Sequence, residues 1–349
     1  MSNKILHKMI LKGKKAASVA LAVAVTGVSI ALGLSFNVKA GATSAEATLK
    51  GILGDAAAYG VVCDEFIAAN HLETNLATNN LIVNGTQGFG NTKSRTNAGG
   101  VSFIKNFESG YLRVTSSDSY IGAVVFGCDY QFDDNQTKLL LNGGKAVFDF
   151  ANYSVLKEKL YANYPDYMDV NSTIATVSEN LNSYTKSDEG VVFDTTEYNN
   201  GKIDVTGVNK NFVTVSLTYA QFKSVAQFRI VKNDNQIVLI NLTDINQNYI
   251  DITKYLGNYD TAEAAGSLVW NFGDYSGTIC LTNVPGTFVA PNASVTLGGT
   301  CAGRAICKNF TNPNGEWHFY SYDLVDETTT ATTTTEETTT QQETKTTQQ

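Results

Sequence analysis

Short apolar runs recur every seven to eleven residues across 267–322, separated by Gly, Asn or Pro. That spacing predicts short strands joined by tight turns in a mainly β fold. Similar runs stand at 81–83, 101–104, 111–114, 120–126, 139–141 and 146–150, and again at 191–193, 203–205, 212–217, 228–231, 237–242 and 249–252. Val213, Val215 and Leu217 alternate with Thr214, Ser216 and Thr218, which marks a half-buried strand. Val124, Val125 and Phe126 run without alternation, as in strands covered on both sides. Pro291 has no amide hydrogen to give a ladder, so a corner is expected there. Gly298, Gly299 and Gly303 mark places for a positive φ or a close backbone approach.

The period changes between 153 and 183. Leu156, Leu160 and Tyr164 fall at helical spacing, as do Ile174, Val177 and Leu181, with Pro165 between the two sets. The pattern predicts a pair of amphipathic helices inserted into the β-structure, the second capped by Asn171 or Ser172.

The two ends differ again. Residues 1–15 hold five Lys and no acid, 16–36 are almost wholly apolar, and Val38-Lys39-Ala40 offers a small-residue exit. This reads as a signal peptide over 1–40, with an uncleaved membrane anchor as the alternative. Residues 41–52 read as a mobile segment, 53–325 as the folded body, and 326–349 as a disordered stalk. Thirteen of the last 22 residues are Thr, too little apolar surface to fold. The expected location is secreted and cell-surface associated, with no transmembrane segment after the leader is removed.

A net charge of −8 with only 17% charged residues leaves no basic patch for nucleic acid. The five cysteines, an odd number, are scattered along the chain, so burial as small hydrophobes is the simplest use for them. Cys301 and Cys307 are near enough in sequence to suggest a bridge, and a thioester from Cys280 to a Gln is a further use.

Three stretches carry a family resemblance. Gly286-Thr-x-x-Ala290-Pro291-Asn292-Ala293, with Gly303 and the closing Glu316-x-His318, resembles the C-terminal signature of the choice-of-anchor A domain. His71-x-Glu73-x-Asn75-x-Ala77 resembles its entry motif, and Phe148-Asp149-Phe150 its approach to the helices. The resemblance implies a bacterial surface adhesive module built as a right-handed β-helix-like solenoid. An exposed face, or the helical insertion, is then the expected binding surface, with Tyr and Asn as contact types. The ligand would be a host or matrix protein, or a glycan. The stretch from Gly286 is similar to bacterial ice-binding solenoids as well, although the Thr follow no evident repeat.

No nucleophile elbow accompanies His71 or His318, and no carboxylate pair is singled out, so no enzyme and no cofactor are expected. A β-helix polysaccharide-degrading enzyme is the alternative that fold analogy supplies. One constellation stands apart. His71 with Glu73, and Glu316 with His318, are i, i+2 pairs, and each would face one side of an extended chain. If the ends of the domain meet, the four offer a zinc or manganese ligand set. The alternative is a buried hydrogen-bond network.

Overall fold

The computed structural model describes residues 44–89, 101–114, 123–149, 160–161, 164–253 and 255–320. The expected leader, the Thr-rich tail and most of the first expected helix lie outside these residues. The chain opens with helix α1 (Ala45–Leu53) and strands β1 (Val61–Ala68), β2 (Leu76–Phe89), β3 (Val101–Val114) and β4 (Ala123–Phe126). Next come β5 (Tyr130–Phe132), β6 (Lys138–Leu141), β7 (Ala146–Asp149), β8 (Leu160–Tyr161), helix α2 (Val170–Leu181), β9 (Val192–Asp194), β10 (Gly201–Asp204) and β11 (Phe212–Thr218). A short α3 (Tyr219–Phe222) leads to β12 (Phe228–Val231), β13 (Ile237–Thr243), β14 (Tyr249–Ile252), α4 (Ala262–Ser267), β15 (Leu268–Asn271) and β16 (Thr278–Leu281). The described part ends with β17 (Pro285–Leu297), β18 (Cys301–Thr311) and β19 (Trp317–His318).

The protein is mostly β, with one large mixed sheet that does not close on itself. Its central path runs β11-β13-β15-β17-β18-β1-β2-β3, and every pairing along it is parallel. Antiparallel pairs occur at β5-β6-β7 and at β9-β10, the latter in a separate three-stranded sheet. The path departs from chain order at one decisive place: β1, the first strand, lies between β18 and β2.

The long strands bend. β17 shifts register between Ala290 and Ser294, with Pro291 and Asn292 in the bend, as the missing amide hydrogen requires. Before the bend its partners are β15 and the first part of β18; beyond it they are β16 and the last part of β18. The sheet therefore turns a corner, and two parallel ladders result.

On the second ladder one row reads Ile250, Ile279, Val295, Phe310, Phe66, Leu81 and Phe107, every member fully or almost fully buried. Aromatic rings continue this interior. Trp270 stacks on Phe288 at 5.9 Å, Phe288 meets Trp317 at 6.0 Å, Trp317 meets Phe310 at 5.3 Å, and Phe310 meets Phe66 at 5.0 Å. Edge and offset contacts of this kind add to the apolar burial.

The first ladder is covered on both sides. Its outward row of Val289, Ile306, Val62, Ala77, Phe103 and Val125 forms one apolar cluster with α1 and α2. That is why Val124, Val125 and Phe126 lack alternation: all three are buried. Helix α2 supplies Val170, Ile174, Val177 and Leu181, the stripe legible in the sequence, but its N-cap is Asp169, which accepts from the Ser172 amide, rather than Asn171 or Ser172.

Two further expectations change. Of the expected pair of helices the second is α2, while in the first span Leu160 belongs to the short β8, paired in parallel with Val124 and Val125, and 151–159 lie outside the described residues. Residues 45–52, expected to be mobile, are helical in α1. Ser44 caps that helix, and Ala45, Leu49, Ile52 and Leu53 bury its inner side.

The ends of the body are tied together. Asn312, fully buried, accepts from the Ala69 amide at 2.9 Å and donates to the His71 carbonyl at 3.1 Å. Trp317 Nε1 donates to the carbonyls of Gly60 and Gly303 at 3.0 and 3.1 Å. Arg304 lies 5.2 Å from the Phe319 ring and donates to the Ala57 carbonyl. Gly303 needs its missing side chain twice over. Its φ is +132°, and a Cβ there would lie 1.9 Å from the carbonyl oxygen of its register partner Gly286.

All five cysteines are free thiols. Cys301 and Cys307 lie six positions apart on one extended strand, roughly 20 Å at strand rise, so the bridge between them is ruled out. Cys307 instead faces Cys63 across β18 and β1. Burial pushes the Cys63 and Cys301 thiols up to about 12 and raises that of Cys307 as well.

Two outcomes are expected. Gly303→Ala destabilises the protein by about 3 kcal/mol or more, read as a fall in the urea midpoint, because both the conformation and the contact with Gly286 oppose a methyl group. In reduced native protein, iodoacetamide labels Cys128 and Cys280, which are partly exposed, while Cys63, Cys301 and Cys307 react only after unfolding. Intact mass counts the adducts in each state.

Candidate functional site

The entry motif occupies the link between β1 and β2. His71 is partly exposed, Glu73 and Asn75 are buried, and Ala77 sits in the apolar row beneath the helices. The Asn75 carbonyl accepts from the amides of Gly60 and Val61, holding the start of β1. At the other end of the chain Trp317 and His318 form β19, paired in parallel with Cys301 and Ala302. The Phe319 amide donates to the Glu73 carbonyl at 3.2 Å, so the link and the last strand are in direct contact.

This closure brings His71, Glu73, Glu316 and His318 together. His318 is nearly buried, with its Nε2 3.2 Å from Glu316 Oε2 and 3.7 Å from Glu73 Oε2. His71 Nδ1 lies 3.9 Å from Glu316 Oε1 on the more open side. A fifth residue completes the group. Asp260 Oδ1 is 2.7 Å from His318 Nδ1, and the Tyr320 hydroxyl donates to the same carboxylate at 2.9 Å. Asp260 comes from the loop before α4, with no spacing relation to either motif, so sequence periodicity had no means of pointing to it.

The C-terminal motif divides its work. Ala290 and Ala293 are fully buried on either side of the bend, where larger side chains would crowd the core. Pro291 and Asn292 face outward and line a shallow groove of about 480 Å³ together with Asp64, Asn171, Glu179 and Lys308. Asn79 ties this margin to α2 by donating to Asp64 and Asn171 at 2.8 and 3.2 Å.

Beyond the groove lies the outer side of the second ladder. Seven strands present an in-register row: Tyr249, Thr278, Ser294, Asn309, Glu65, Asn80 and Asn106. At ladder spacing the row is roughly 29 Å long. Its members brace one another. Asn309 donates to Ser294 at 3.0 Å, Asn106 to Asn80 at 2.9 Å, and Asn80 to Glu108 at 2.7 Å. A second row, two residues on, reads Asp251, Cys280, Thr296, Thr311, Ile67 and Ile82. A hydrogen bond with the Cys280 side chain pushes the Tyr249 phenol up to about 12, and the register partners of Cys280 are Asp251 and Thr296 rather than a Gln. The arrangement offers amides, hydroxyls and carboxylates on a rigid backing, with half-buried aliphatic groups between them.

Among the described residues no helix is long and apolar enough to cross a membrane. No curated protein matches this chain. Six chains of solved structures match it. One is the ice-binding protein LeIBP of an Arctic yeast, the subject of work on its antifreeze activity, at 11% identity and a TM-score of 0.29, covering 76% of this chain and 93% of that one. The family described as "Putative Ice-binding-like adhesive domain" matches residues 22–319, most of the chain, and the protein belongs to that family.

Proposed function

We propose that the protein is an exported, non-catalytic adhesin module of the choice-of-anchor A type, displayed at a bacterial surface and wound as a β-solenoid. The parallel ladders that meet at bends support the winding, and the membership in an adhesive family supports the role. The observation that carries the reading is the outward row from Tyr249 to Asn106, with the groove at Asn292 and Lys308 beside it. These side chains are fixed by the ladder behind them, so a ligand would spend little entropy in ordering them. The polar, weakly charged surface suits a glycan or a matrix protein, with Tyr249 and the Asn residues as contacts.

Ice binding is the second reading, favoured by the block of hydroxyls at Thr278, Ser294, Thr296 and Thr311 in register. Asp251 and Glu65 flank that block and break its regularity.

A panel of glycans and matrix proteins tested against the purified protein should return a ligand. Asn309→Arg, on the outer row, should weaken its binding by about tenfold while the protein still unfolds in one cooperative transition. A panel silent at high concentration counts against the adhesin reading, and thermal hysteresis in the same sample would favour the second one.

A further inference from the structure

We infer that the imidazole–carboxylate cluster between the β1–β2 link and the last strand is a binding site for one divalent transition-metal ion, of the zinc or manganese class. Its ligands are His318 Nε2, Glu73 and Glu316, with His71 as the fourth. The donor atoms of the first three all lie within 4.8 Å of one another. That is the separation from which small rotations bring nitrogen and oxygen donors to about 2.0–2.2 Å from one ion.

The position of Asp260 argues for an ion rather than a plain ion pair. A metal-bound imidazole commonly gives its other ring N–H to a carboxylate, which fixes the tautomer and aims the free nitrogen at the ion. Asp260 stands 2.7 Å from His318 Nδ1 in that role, itself held by the Tyr320 hydroxyl. With Nδ1–H given to Asp260, the ring would turn its Nε2 lone pair to an ion held between Glu316 and Glu73. A divalent ion placed among them would take both converging carboxylates and the nitrogen as ligands. The donor set is mixed nitrogen and oxygen without sulfur, which suits zinc or manganese. His318 and Glu73 form a buried floor, while Glu316 and His71 are about one-third and two-fifths exposed, which leaves a way in from solvent. The ion would join the first turn of the body to its last strand.

The test uses the full chain, produced without a histidine tag and stripped with chelator. Titration with Zn²⁺ and with Mn²⁺ should show one equivalent bound for at least one of them, with a rise in melting temperature of about 5 °C at saturation. Glu316→Gln and His71→Ala change partly exposed ligands, so both should fold. Each should bind at least about tenfold more weakly, and each should melt without metal as the stripped wild type does. Asp260→Asn should weaken binding by about 10–100-fold while the stoichiometry stays at one, as befits a positioning residue. Failure of both ions to bind and shift melting overturns the inference. So does binding that Glu316→Gln leaves as tight as in the wild type, since the ion would then be held elsewhere. The adhesin reading is tested by ligand capture and stands or falls separately.

Discussion

The parallel pairing of β18 with β1 is the contact on which the rest of the molecule depends. It joins residues from opposite ends of the body; Asn312 and His71, beside it, are 241 positions apart. Closing a loop of that length costs about 5 kcal/mol beyond a constant, by the logarithmic law for flexible chains. Six register pairs offset it, and three of them each carry a different layer across the seam. Ile306 meets Val62 under the helices, Phe310 meets Phe66 in the interior, and Asn309 meets Glu65 on the outer side. Without the seam, the apolar row beneath α1 and α2, the aromatic interior and the polar outer row would each be cut in two.

The two ladders differ in what lies outside them, and that difference separates stability from recognition. Where helices seal the first, its strands are buried on both sides and contribute mainly burial. The second keeps one side to the core and turns the other to solvent, and its strands alternate accordingly. The bend at Pro291 is where one regime gives way to the other. The polar array thus sits on a wall whose rigidity comes from the interior.

Much of this could be read from the residues. Strand positions followed from period and punctuation, since burial on one or both sides writes itself directly into alternation. The stripe of α2 was visible for the same reason. The helix at 45–53 was not, because its stripe of Ala45, Leu49, Ile52 and Leu53 is little more than two turns long and follows directly on what reads as a leader's exit. The Asp169 cap was hidden by neighbouring Asn and Ser residues of equal capping aptitude. The place of β1 could not be inferred at all, as strand order across a sheet leaves no local mark on the chain. The i, i+2 pairs exposed four members of the ionisable cluster, while Asp260 and the buried Asn312 act across loops with no fixed spacing.

A first strand seated mid-sheet also dictates an order of assembly. During synthesis β1 emerges well before β18 and finds β2 and β3 within reach, but its other edge stays bare until β18 arrives. A chain halted before 301 would thus offer unpaired amides and carbonyls beside Val62 and Phe66, an open template for a second copy. Completion of the last strands is what converts a sticky intermediate into a self-contained body.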